Sequence, residues 1–486
     1  MNSEHIEKKG IFKNTAILSF AEIYNIACGI VLIILLARTM GASNLGLFSF
    51  AFSLGTVIYI ISFFGINDFI IREIARQPHK KNDYFGNSII IRIGIMLLCL
   101  VILESIFRII NYPFDKKLIF YLIVFSRLID SLLYTLYAFF RAYQKMIYEG
   151  IIRFFLNSVS LTAGIVFLLK YDTLKPFAIS QIVIYAVFFV ITLIVSAKVI
   201  DVKLSNVKIS FLKASELIKM SFHLSLIKML IVLYVHFNTI LLTLIKGETQ
   251  TGIYAAGFRF ISAFGFLAVS FTAAVFPVMS KMGVGKIDVL LKAYKKTSKY
   301  LLIMGIFISA ILASQAKSLI LLIYGQEFSK SILPLSIMSL TPIFMFLNTG
   351  TSYLLFSMDR EKSYLATMSI SLLVVLILNL ILIPLFGYIG ASITTLAPEV
   401  FMFLVLCFFV FRIFKKNPYG FAVKPILAGL VSFIAGLFLA QHFNAIISSA
   451  IVASIFITSL IILKTFSKEE YMIARSLFSK SDKAYG

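Results

Sequence analysis

Fourteen apolar runs separated by short polar connectors constrain this chain more than any other feature. They lie near 14–36, 44–65, 87–109, 118–139, 150–169, 176–197 and 220–244. The others lie near 251–276, 300–316, 331–356, 363–385, 389–411, 423–440 and 446–463. A helix of about 20 apolar residues crosses the ~30 Å hydrocarbon core, so each run predicts one span. The run at 300–316 is the weakest, because Gln315 and Lys317 interrupt it. Composition agrees. The 486 residues are 60% hydrophobic and 14% charged, whereas a soluble domain is about 45–50% apolar and about 25% charged. The expected fold is an all-α polytopic membrane protein.

The net charge of +23 would suggest nucleic acid in a soluble protein. Here the basic residues cluster in alternate connectors. With the N-terminus inside, about 31 of the 45 Lys and Arg fall in cytoplasmic segments and about 9 outside. The richest inside loop carries Lys281, Lys286, Lys292, Lys295, Lys296 and Lys299. The positive-inside rule therefore assigns both termini to the cytoplasm and explains the charge without a nucleic-acid partner. No outside loop exceeds about 15 residues, too little for the acceptor site of a glycan polymerase or ligase, so no enzyme is expected. Cys28, Cys99 and Cys407 lie in separate apolar runs without metal-ligand spacing, and neither a metal nor a cofactor is expected. The first run is longer than a signal-peptide core, so no cleavable leader is expected.

An internal repeat organises the runs. Gly41 and Gly46 frame Gly-x4-Gly after the first span, and Gly247 and Gly252 frame the same pattern after the seventh, at an offset of 206. Lys13 and Lys219 flank the preceding spans at that same offset. Six spans separate the copies, so both run in one direction across the membrane. This predicts two pseudo-symmetric six-helix lobes, 1–200 and 201–415, followed by two extra helices and a cytoplasmic tail over 416–486. Tight hairpins at the glycines require positive φ and close backbone approach.

At these residues the chain resembles the polysaccharide transporter family (Wzx-type O-antigen flippases) of the multidrug/oligosaccharidyl-lipid/polysaccharide exporter superfamily. The resemblance is carried by Ala37 to Ala51, by Gly65 to Ala75, and by Gly252 to Arg259. Ala274 to Ser280 and the hairpin Asn379 to Ala391 complete it. It implies a cavity lined by spans 1, 2, 7 and 8. Many relatives carry an acidic residue late in span 7, where this chain has His236 and Asn238; coupling through a carboxylate there is not expected.

An ionisable side chain near the bilayer centre is costly and marks function by default. Glu22 and Lys228 are separated by the same 206-residue offset, so they should sit at similar depth. They are expected to line the cavity, with Arg259 in span 8, and to approach one another in one state and separate when substrate arrives. Arg127 and Asp130, three apart in span 4, can neutralise one another or line the cavity. Glu399 follows Pro398 inside span 12, where a lost backbone bond can open a polar pocket. Glu104 with Arg108 and Glu149 with Arg153 read as structural i,i+4 pairs. Arg92 reads as a snorkelling side chain, and His223 and His236 as polar residues without metal partners.

The resemblance implies a flippase that moves a polyprenyl-diphosphate-linked oligosaccharide from the cytoplasmic to the outer leaflet by alternating access. The partners expected are that lipid-linked glycan, membrane lipid, a coupling ion (H+ or Na+) and a polysaccharide polymerase. A flippase for the lipid-linked peptidoglycan precursor and a multidrug/cation antiporter of the same superfamily are the alternatives.

Overall fold

A computed structural model describes residues 2–63, 65–77, 81–201, 211–282, 287–467, 470 and 472. Among them every regular element is helical. In chain order these are α1 (Asn2–Phe63), α2 (Ile66–Arg76), α3 (Lys81–Ile109), α4 (Phe114–Ala142), α5 (Met146–Lys170) and α6 (Leu174–Ile200). Next come α7 (Phe211–Lys246), α8 (Glu248–Met282), α9 (Ile287–Ser314), α10 (Ala316–Tyr324), α11 (Ile332–Met338) and α12 (Thr341–Ser357). α13 (Glu361–Phe386), α14 (Tyr388–Phe414), α15 (Val423–His442) and α16 (Ala445–Ile462) close the sequence. This is a multi-pass membrane protein.

Twelve stretches are long and apolar enough to cross, thirteen with one bent pair counted; the sequence predicts fourteen. The difference of one lies in the first stretch, Ala16–Arg76, which has 61 residues. At 1.5 Å per residue a straight rod of that length would be roughly 90 Å, three times the hydrocarbon core. It breaks at Gly41 (φ 74°, ψ −177°) and so holds the first two predicted spans. The predicted span 331–356 is itself broken into α11 and α12, bent by 45°. Pro342, at the start of α12, has no N–H, and its ring clashes with the carbonyl four residues back, at Met338.

The chain forms two compact units. The first comprises Met1–Ala255 with Asn379–Tyr388, and the second Ala256–Leu378 with Ile389–Gly486. In the first unit α1 packs along α4, α5 and α7, and α4 lies along α6. The two Gly-x4-Gly copies meet there. Both leading glycines, Gly41 and Gly247, have positive φ (74° and 84°), as the hairpin reading requires. A Cβ on Gly46 would lie 1.7 Å from the Glu248 carbonyl oxygen, and one on Gly252 would lie 1.8 Å from that of Ala42. Each trailing glycine thus admits the backbone of the other copy.

Arg92 corrects the snorkelling expectation. It is 0% exposed, donates to Ser131 Oγ (2.9 Å), the Ser131 carbonyl and Asn67 Oδ1 (3.1 Å), and lies 5.2 Å from the Phe63 ring. Hydrogen bonds from its two terminal nitrogens keep it inside rather than at the interface. Arg92→Met should lower stability by about 2–4 kcal/mol, because Asn67 and Ser131 lose a charged donor; thermal unfolding in detergent reads this directly.

In the second unit α9 packs against α12 and α15, and α15 against α16. The segment after α16 is fastened to α9 through Glu470, which accepts from Lys299 Nζ (2.7 Å) and Tyr300 Oη (3.0 Å). Burial raises the Glu470 pKa, but the Lys299 and backbone hydrogen bonds outweigh it and hold the carboxyl at about 2. Because this folded value lies below the ordinary one of about 4.3, the contact is at full strength above that pH and is lost as pH falls toward about 2. Protection of this segment from proteolysis should therefore be constant from about pH 5 to 8 and decline below about pH 4. Glu470→Gln should weaken it at every pH.

Candidate functional site

A polar cavity of about 270 Å³ opens inside the first unit. On α4 the residues Arg127, Asp130, Tyr134 and Tyr137 recur at spacings of three, four and three, and so share one face. α1 supplies Glu22, Asn25 and Tyr59, α5 supplies Arg153 and Asn157, and α6 supplies Tyr185.

Two ion pairs line the cavity, one along α4 and one from α5 to α1. Arg127 Nη1 meets Asp130 Oδ2 at 2.7 Å, with its guanidinium carbon 4.7 Å from the Phe52 ring centre and 5.5 Å from that of Tyr59. Arg153 Nη2 meets Glu22 Oε2 at 2.5 Å. Behind them Glu149, fully buried, is held through both oxygens by Arg141 at 2.6 and 2.8 Å. The lining therefore carries two cations and two anions.

A balanced site of this kind is poised for exchange. Arg127 and Asp130 are only partly buried and Glu22 is 52% exposed, so solvent screening and desolvation leave each pair little net stability and a stronger anion can replace the carboxylates at modest cost. Guanidinium groups match phosphate oxygens through two parallel N–H donors. The tyrosines add rings for apolar sugar faces and hydroxyls for hydrogen bonding.

Of the predicted site residues, the structure brings Glu22, Arg127 and Asp130 together here. Lys228 is in the same unit but outside the lining; it pairs with Asp68 of α2 and lies 5.1 Å from the Phe63 ring centre. The expected Glu22–Lys228 contact is thus not formed, since Glu22 holds Arg153. Equal depth along two helices does not fix which way each side chain faces, and one residue rotates the face by about 100°.

Arg259 lies half-buried in the second unit beside Tyr324 and makes no ion pair among the described residues. Glu399, also in that unit, clamps Asn348, whose Nδ2 donates to the Glu399 carbonyl (3.0 Å) and carboxylate (2.7 Å). Late in span 7, Asn238 Oδ1 accepts from Asn379 Nδ2 at 2.7 Å, and the His236 ring nitrogen lies 3.0 Å from Ser53 Oγ.

Sequence reasoning missed Arg153 as a cavity residue. Its i,i+4 partner Glu149 is 3.6 Å away, while the closer Glu22 is 131 positions distant, a pairing that no local spacing reveals. The tyrosines of α4 were visible as a continuation of the Arg127–Asp130 stripe.

Comparisons with known proteins agree with this architecture. The "Putative O-antigen transporter" of Escherichia coli (strain K12) is 24% identical over 383 residues, covering 77% of this chain and 90% of that protein. The lipid II flippase MurJ, in an inward closed conformation, superposes with a TM-score of 0.69 at 17% identity, over 92% of this chain and 98% of that one. An inward-facing multidrug resistance MATE family transporter of the MOP superfamily gives 0.62 at 16% identity, over 82% and 96%. These two likenesses show a shared fold. Residues 11–283, more than half of the chain, match the polysaccharide biosynthesis protein family, and the chain belongs to that family.

Proposed function

We propose that this protein is a flippase for a polyprenyl-diphosphate-linked oligosaccharide, moved from the cytoplasmic to the outer leaflet of the cell membrane by alternating access. One observation carries the reading. α5 and α6 present polar residues to the cavity (Arg153, Asn157, Tyr185) and apolar ones to a separate groove of about 380 Å³. That groove is lined by Ile151, Ile152, Phe155, Val159, Phe188, Ile191, Val195 and Tyr148. A charged glycan headgroup and a prenyl tail need such adjoining polar and apolar surfaces.

In this reading the diphosphate takes Arg127 and Arg153, displacing Asp130 and Glu22, while the tail stays against α5 and α6. The cavity suits the diphosphate and adjoining sugar atoms, being near the ~300 Å³ lower end of small-ligand sites. Crossing without such a site is prohibitive, since each unpaired hydroxyl costs roughly 4–8 kcal/mol in an alkane-like medium. Both termini lie in the cytoplasm, which puts the lysine-rich connectors inside, and a membrane potential then assists export by roughly 4–5 kcal/mol per 100 mV for two negative charges. The displaced carboxylates are candidates for taking up a coupling H+ or Na+. A polysaccharide polymerase would receive the product.

The lipid-linked peptidoglycan precursor carries the same diphosphate chemistry and is the alternative substrate. A cation antiporter is less well supported, because an arginine neutralises each cavity carboxylate. Reconstitution into proteoliposomes separates these readings. Outward movement of a fluorescent polyprenyl-diphosphate oligosaccharide, with no exchange of a cationic dye for H+ or Na+, is expected. Dye exchange without lipid movement would contradict the proposal.

A further inference from the structure

A second cavity, of about 470 Å³, lies in the second unit among the ends of three spans. Its lining includes Lys292, Lys295, Lys296 and Lys299 of α9, Phe421 of the α14–α15 connector, and Glu470 after α16. The transport reading uses none of them. The pocket already holds one oxyanion, because the Glu470 carboxylate accepts from Lys299, Tyr300 and the Ser467 backbone N–H (2.7 Å). Lys292, Lys295 and Lys296 make no ion pair among the described residues. Three cations thus stand beside a carboxylate that Lys299 already holds, with no further anion among the described residues lining the pocket.

Position fixes the kind of anion. α14 ends at Phe414 and α16 at Ile462, each a few residues before its contribution to the pocket. α9 carries no charged residue from Leu301 to its end at Ser314. All three strips therefore meet at the headgroup level of the bilayer, where lysines reach out of the apolar layer and lipid phosphates are concentrated. Phe421 and Pro418 give the pocket an apolar floor.

We propose that this pocket binds the phosphate of a membrane lipid headgroup, with Lys292, Lys295 and Lys296 as its ligands and Glu470 as the internal anion that limits its charge. The inference does not depend on the substrate of transport. Two sources share the chemistry, a bulk anionic phospholipid and a polyprenyl diphosphate.

The chain contains no tryptophan, so Phe421→Trp gives a single fluorescent reporter in the pocket, with Phe466→Trp, beside Lys299, as a second. In phosphatidylcholine vesicles of the full-length protein, brominated phosphatidylglycerol should quench this reporter saturably, and at lower mole fraction than brominated phosphatidylcholine. Each lysine near the surface is worth about fivefold. Lys292→Gln/Lys295→Gln/Lys296→Gln should therefore remove a preference on the order of a hundredfold, whereas Lys415→Gln/Lys424→Gln/Lys464→Gln should leave most of it. Glu470→Gln should strengthen it. Reversal of quenching by unlabelled polyprenyl diphosphate assigns the site to both sources, and persistence assigns it to the phospholipid alone. Equal quenching by the two brominated lipids, or equal loss in both triple variants, would overturn the proposal.

Discussion

Flipping by the variant Glu22→Gln/Arg127→Gln/Asp130→Asn/Arg153→Gln is expected to fall at least about a hundredfold while expression and thermal midpoint stay close to wild type. Each hydrogen bond from a guanidinium to phosphate contributes about 1.5–3 kcal/mol, so losing two removes about 3–6 kcal/mol of headgroup binding. The matched replacement strands no charge, because Arg127 pairs with Asp130 and Arg153 with Glu22, and Glu149 keeps Arg141. Arg127→Gln alone should behave differently. It leaves the partly buried Asp130 without its partner and should cost stability, up to about 3–5 kcal/mol if the pair is fully shielded. A proteoliposome flipping assay beside a thermal unfolding scan distinguishes loss of transport from loss of fold.

The second large effect is steric. Gly46→Ala and Gly252→Ala each place a methyl group within 2 Å of a backbone carbonyl oxygen in the opposing hairpin. Backbone cannot swing aside as a flexible side chain can, so each change should cost more than about 3 kcal/mol, the upper range of overpacking. Little monodisperse protein should survive extraction. Gly29→Ala and Gly94→Ala provide the contrast, since a Cβ there meets nothing within 4 Å. Those two should be neutral or up to about 1 kcal/mol more stable, alanine being the better helix former. Size-exclusion profiles and melting temperatures of the four variants test the packing of the repeat.

The fold was legible because its main signals are local. Apolar run length sets the spans, and the glycine pattern repeated at Gly41 and Gly247 marks the hairpins, whose positive φ follows from residue type. What local signals hid was the break before Pro342, read as a single span because no charged residue interrupts the run between Lys330 and Asp359.

The site was half legible. Arg127 and Asp130 are three apart on one helix, so their pairing follows from helical geometry. Glu22 and Arg153 come from different helices, and only the rotation of α1 and α5 against one another makes them meet. The Glu22–Lys228 contact expected in one state is absent from this structure for the same reason, since the repeat equates depth and not direction. Arg92 misled differently. Its length permits snorkelling, but Asn67 and Ser131 provide internal partners that a one-dimensional reading cannot see.

Direct binding of the headgroup tests the central claim most sharply. Titrating nanodisc-embedded protein with polyprenyl diphosphate should give saturable binding to wild type. Affinity should be weaker by at least about a hundredfold in the neutral four-residue variant and near normal in Lys228→Gln, whose lysine lies outside the cavity lining. Unchanged affinity in the four-residue variant, with its fold intact, would show that the diphosphate is held elsewhere and contradict the assignment of the cavity.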